Sequence, residues 1–154
     1  MTAQEALAAV REAFQNVPRP ELMIRGTCSC CECAEHNLTL LSHTPETITL
    51  QELGNAAWDP ICFASDAALA YYLPGMIRLA LADTNYVDQL TFHLTCPDRI
   101  ETLSQPQAAA VLDALWVVAE SIGDEDSSET CLNLNERLME EAIGKLEEKI
   151  AKGL

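Results

Sequence analysis

The stretch Ser104-Gln105-Pro106-Gln107-Ala108-Ala109-Ala110-Val111-Leu112-Asp113-Ala114-Leu115-Trp116-Val117-Val118-Ala119-Glu120-Ser121-Ile122-Gly123 carries the cleanest amphipathic pattern in the chain. Ala108, Leu112, Leu115, Ala119 and Ile122 recur at alternating four- and three-residue steps, which lines one face of a helix. Ser104, with Gln107 three positions on, has the form of a capping box. Gly123 is a natural stop.

Outward from this helix the same period returns. Val87, Leu90 and Leu94 predict a helix over about residues 86–94. Ser65 is a natural cap for another, which runs through Tyr71, Tyr72 and Leu73. Pro74 should kink or split it, since proline removes a backbone donor and crowds the preceding turn. Met76, Ile77, Leu79, Ala80 and Leu81 continue the apolar pattern. At the start, Ala6, Leu7, Val10 and Phe14 give a helix over about residues 3–15, ended by Asn16-Val17-Pro18-Arg19-Pro20. A further helix is expected over about residues 30–41. Thr44-Pro45-Glu46 has the form of a helix start, whereas Thr47, Ile48 and Thr49 favour a short extended piece. Glu52-Leu53-Gly54-Asn55 closes that segment. Beyond Gly123 comes an acidic loop, Asp124-Glu125-Asp126-Ser127-Ser128-Glu129. A last helix over about residues 135–152 turns Leu138, Ile143, Leu146 and Ile150 inward and places Lys149 and Lys152 at its negative end. The expected fold is all-α: a single compact domain over residues 1–154, with about five to seven helices and a short irregular region around residues 44–63.

Composition narrows the function classes. The chain has 154 residues, 49% of them hydrophobic, enough to bury a core as one domain. No apolar run reaches the roughly 18 residues of a membrane span. The first residues, Met1-Thr2-Ala3-Gln4-Glu5, lack the basic and apolar regions of a signal peptide, so a cytoplasmic, reducing setting is expected. There, clustered cysteines favour metal or redox work over structural disulfides. Nine Lys+Arg stand against 24 Asp+Glu, a net charge of −15. Such a chain repels phosphate backbones and anionic membranes. The excess is explained by solubility, or by attraction to a basic protein partner.

Four of the seven cysteines fall in Cys28-Ser29-Cys30-Cys31-Glu32-Cys33, and His36 follows three positions later. Zinc takes four ligands from thiolate and imidazole at tetrahedral angles. Cys30 and Cys33 form a C-x-x-C pair, a spacing that lets two sulfurs converge on one ion at a turn or helix start. His36 continues the three-residue step, and Cys28 offers a fourth donor. His43 and Cys62 are more distant candidates. The second pair that completes many zinc sites is missing. Cys31 should point elsewhere. The same C-x-x-C also admits a redox reading, because a helix N-terminus lowers a thiol's pKa. Against it stand Glu32 between the thiols and the lack of a βαβ pattern. A third reading leaves these cysteines unligated.

Elsewhere, Cys62 reads as a small buried hydrophobe, Cys96 and Cys131 as packing residues, and His93 as a satisfied core histidine. Arg78 needs a partner, with Asp59 and Asp83 as candidates. There is no phosphate loop, no H-E-x-x-H and no G-x-S-x-G.

Cys30-Cys31-Glu32-Cys33, Glu52-Leu53-Gly54-Asn55 followed by Trp58-Asp59-Pro60-Ile61-Cys62-Phe63, and Tyr71-Tyr72-Leu73-Pro74 together resemble an uncharacterised family of small bacterial proteins, a domain of unknown function. The resemblance covers roughly residues 13–94. It implies a bacterial, cytoplasmic origin and no established activity.

Three functions are therefore expected candidates. The first is a non-enzymatic metal-binding protein with structural zinc on Cys30, Cys33, His36 and Cys28. The second is an acidic inhibitor or immunity-type partner of a basic protein, its surface including Glu120, Asp124, Glu125, Asp126 and Glu129. The third is a thiol redox protein using Cys30 and Cys33. No other acid–base or nucleophile–base pair stands out, so an enzyme is the less favoured expectation.

Overall fold

The computed structural model describes residues 1–26, 28, 30–123 and 132–153, with the side chains of 132–135 left aside. Among the described residues there are seven α-helices: α1 (Ala3–Phe14), α2 (Cys31–Leu41), α3 (Leu50–Leu53), α4 (Asp66–Ala82), α5 (Val87–Thr95), α6 (Gln105–Gly123) and α7 (Leu132–Lys152). Four short 3-10 turns and a single antiparallel bridge, Ile24 to Ala64, complete the regular structure. The all-α expectation holds.

The capping box of α6 is present: the Ser104 amide donates to Gln107 Oε1 at 2.9 Å, and the Gln107 amide to Ser104 Oγ at 3.4 Å. Ala108 and Leu115 are fully buried, while Leu112, Ala119 and Ile122 are half-buried against the core. The inward face is wider than the expected stripe, because Ala110, Val111, Ala114 and Val118 are buried too. The physical reason is that α6 is covered by α1 and by α7, with α4 also in contact. A helix flanked on two sides buries more than one stripe.

At the centre, α4 buries ten of its 17 residues. It runs unbroken through Pro74, so the expected split does not occur; residues packed around a buried helix hold it together across the lost hydrogen bond. One side of α4 anchors the chain that leaves α2. The Tyr72 hydroxyl donates to the carbonyls of Leu40 and, at 2.7 Å, His43. At Gly75 an added Cβ would lie 2.5 Å from the Pro45 carbonyl oxygen, so only glycine admits this crossing. Arg78 donates to the carbonyls of Pro45 at 3.1 Å and Ile48 at 2.6 Å. Its partners are thus backbone oxygens, not Asp59 or Asp83. Those carbonyls lie in a non-helical segment with no ladder of its own, and the two N–H groups of one guanidinium nitrogen, Nη2, serve both.

That irregular region resolves the ambiguity around Pro45. Residues 45–47 form only a turn, and the helix starts later at Leu50, capped by Thr49 in a box with Glu52. The last helix begins at Leu132, three residues before the expected start. The acidic loop and Cys131 lie outside the described residues. No described helix is long and apolar enough to cross a membrane.

Candidate metal centre

The sequence places Cys30 where a helix cap normally stands. Its Sγ accepts the Cys33 amide at 3.4 Å, taking the place of the usual hydroxyl or carboxylate oxygen. Cys33 is the third residue of α2 and turns inward, 5% exposed. Cys28 approaches from the preceding loop, and its thiol donates to Cys30 Sγ at 3.2 Å. The sulfurs of Cys28, Cys30 and Cys33 all lie within 4.8 Å of one another. These three could hold a metal ion.

The electrostatics of the cluster are uneven. The Cys33 amide, and then the Cys28 thiol, hold the Cys30 pKa below the ordinary thiol value. Cys28 and Cys30 push the Cys33 thiol up to about 12, and burial adds to this. One sulfur in the cluster thus loses its proton more easily than an ordinary thiol and another less easily, as expected when a shared hydrogen-bond network has a preferred acceptor. A divalent ion would remove that inequality by stabilising every thiolate.

His36 is placed differently. One turn along α2, its ring is buried, stacked on Phe63 with centroids 4.7 Å apart and tilted against Trp58 at the same distance. It is not among the three converging donors. Its Nε2 lies 3.5 Å from Glu32 Oε1 and makes no hydrogen bond. Cys31 is exposed and also outside the cluster. His43 lies near Glu52, at 3.8 Å. Cys96 is exposed, which corrects the packing expectation; it follows the last residue of α5, where the chain turns out of the core.

Cys62, Asp59 and His93 form a second group that the sequence reading left scattered. Their donor atoms lie within 4.8 Å of one another, and these residues too could hold a metal. Asp59 caps the 3-10 turn Pro60–Phe63, accepting the Ile61 amide on Oδ1 at 2.9 Å. Its Oδ2 meets His93 Nε2 at 2.7 Å and accepts from Gln89 Nε2 at 3.0 Å. His93 comes from α5 and is satisfied, as expected. Cys62 is half-buried, and burial, followed by the Asp59 charge, raises its thiol pKa. The sequence signal for this group is faint: an Asp-Pro turn start with a cysteine three positions on, and a histidine on an apolar helix 34 residues from Asp59. Only the packing of α5 against the turn joins them.

The two groups share a wall. His36 and Cys33 belong to α2, while the Phe63 that stacks on His36 ends the turn holding Asp59 and Cys62. The Arg25 amide donates to the Phe63 carbonyl at 2.7 Å, the Ser65 amide to the Met23 carbonyl at 2.8 Å, and the Arg25 guanidinium to the Cys62 carbonyl. The strand-like segment leading to Cys28 is thereby tied to the segment leaving Cys62.

Compared with known proteins, the chain matches no family model, no curated protein and no solved structure.

Proposed function

We propose that the chain is a metal-binding protein that holds one zinc-class ion on the sulfurs of Cys28, Cys30 and Cys33. The convergence of these three sulfurs at the start of α2 supports this most. Thiolates select soft and borderline ions, zinc and copper(I) foremost. Three protein donors leave one of zinc's four places to water or to another group. The role is structural once a fourth group closes that place: the ion would fix the segment between the Ile24 bridge and α2, which otherwise rests on weak sulfur hydrogen bonds.

The test is elemental analysis of untagged protein purified without added metal or chelator, with site-resolved alkylation. Support is zinc bound at Cys28, Cys30 and Cys33, with those thiols shielded until a chelator is added. Freely reactive thiols at these three positions in zinc-saturated protein would overturn the reading.

A thiol redox role is the second reading, favoured by the lowered thiol at Cys30 and the buried Cys33 behind it. It requires a Cys30–Cys33 disulfide that forms reversibly in a glutathione buffer, the two thiols giving two protons and two electrons to oxidised glutathione. If mass spectrometry finds no such bond across the poise of the cytoplasm, this reading fails.

A further inference from the structure

We propose that Asp59, Cys62 and His93 form a second, independent metal site, one with an open coordination position facing a cavity. The donors are a carboxylate, a sulfur and an imidazole nitrogen within 4.8 Å of one another. That is a recognisable set for zinc or cobalt(II). Asp59 and His93 are each 3% exposed, and with Cys62 they line a cavity of about 290 Å³ bordered also by Ala56, Asp88, Gln89 and Phe92.

Charge supports the assignment. A buried carboxylate needs compensation, which Asp59 draws from the Ile61 amide, Gln89 and His93 when no ion is bound. A divalent ion with one carboxylate, one thiolate and one neutral imidazole makes a ligand shell of zero net charge, and the Asp88 carboxylate on the same cavity adds attraction for a cation. The ion would take the place of the hydrogen between His93 Nε2 and Asp59 Oδ2, with the imidazole proton moved to Nδ1 and the Cys62 proton released to solvent. The Ile61 amide on Oδ1 and the Gln89 amide on Oδ2 orient the carboxylate from behind, as partners behind a metal ligand commonly do. The Tyr86 hydroxyl is buried without a hydrogen-bond partner.

The alternative chemistry for these residue types is a nucleophilic thiol with an Asp-oriented histidine. Among the described hydrogen bonds none joins Cys62 Sγ to His93, and the Nε2 atom is occupied by Asp59. A set with three protein ligands and a cavity on the fourth side instead matches an ion that keeps an exchangeable water.

Cobalt(II) is the probe, added to the full chain carrying Cys28→Ser, Cys30→Ser and Cys33→Ser together. This variant lacks the cluster at α2, so its result is independent of the site proposed above. The expected result is about one cobalt per chain, a sulfur-to-cobalt charge-transfer band of single-thiolate intensity, and a visible spectrum that shifts when imidazole or azide is added. Adding either Cys62→Ala or His93→Gln should abolish the band, with helicity by circular dichroism showing that the variants fold. A folded triple variant that binds no cobalt overturns the proposal. So does a cobalt spectrum unchanged by Cys62→Ala in folded protein. A wild-type chain that binds one ion, lost only with the triple substitution, supports the α2 site and refutes this one.

Discussion

The two groups hold similar donor chemistry on opposite kinds of ground. Cys28, Cys30 and Cys33 come from adjacent positions, and two of them are exposed. Asp59 and His93 come from positions 34 apart and are enclosed by the core. A cluster assembled from near neighbours asks little of the fold. A site assembled across the fold is built by packing before any ion arrives. In metal-free protein, substitutions in the first should therefore change stability little, whereas substitutions in the second should change it at once.

Asp59→Ala gives the sharpest contrast. It strips acceptors from the Ile61 amide, Gln89 and His93 at once. Each buried donor left unmet costs about 1–3 kcal/mol, so the metal-free protein should lose about 3–5 kcal/mol in urea unfolding. Cys28→Ser, made in the same background, should stay within about 0.5 kcal/mol of wild type. Equal losses would break the distinction between the two groups.

The next effect tests whether the far end of α2 governs the cysteines at its start. Tyr72→Phe leaves the Leu40 and His43 carbonyls without their donor and should cost about 1–3 kcal/mol. Gly75→Ala drives a methyl against the Pro45 backbone, at about the same cost. Both should leave zinc content unchanged, because Cys28, Cys30 and Cys33 lie about two turns or more away, at the other end of α2. Zinc content that falls in parallel with stability would show that the exposed site depends on the packed core after all.

Zinc itself should sharpen the comparison from the other direction. At a free concentration of a hundred times its dissociation constant, an ion that binds only the folded chain adds about 2.7 kcal/mol. Thermal unfolding of wild type should register that gain, reversed by a chelator. Cys30→Ser should lose the part that belongs to the α2 cluster. A full gain in that variant would remove Cys30 from the ligand set.

What the sequence revealed follows the same division. Contacts close along the chain were readable: the capping box at Ser104, the start of α2 at Cys30, and the inward Val87, Leu90 and Leu94 of α5. The C-x-x-C sulfurs were legible for the same reason. His36 shows the limit, since a three-residue step from Cys33 predicts a shared face but not the aromatic slot of Trp58 and Phe63 that receives its ring. Arg78 shows it again, as its partners are backbone carbonyls 30 or more residues away, which no pattern of charges announces. The sequence offers Asp59 as a partner for Arg78, Cys62 as a buried hydrophobe or distant ligand, and His93 as a satisfied core histidine; only the last matches its surroundings. Their grouping is a property of packing between α5 and the turn at Pro60.

The smallest effect lies inside the exposed cluster and has a distinctive sign. The Cys28 thiol lowers the Cys30 pKa, second to the Cys33 amide, and is the leading cause of the raised value at Cys33. Cys28→Ala removes both influences. In metal-free protein the Cys30 pKa should rise toward that of an ordinary thiol, and the Cys33 pKa should fall from about 12. Alkylation read site by site against pH measures both, because the thiolate is the reacting form. The Cys30 rate should then climb at a higher pH than in wild type, and the Cys33 rate at a lower one. Cys62, raised by its own burial and by Asp59, touches none of these sulfurs and should not move. Shifts of the same sign at Cys30 and Cys33 would mean that the three sulfurs do not share one hydrogen-bond network, and the cluster would then be three separate thiols that an ion has no prepared place to join.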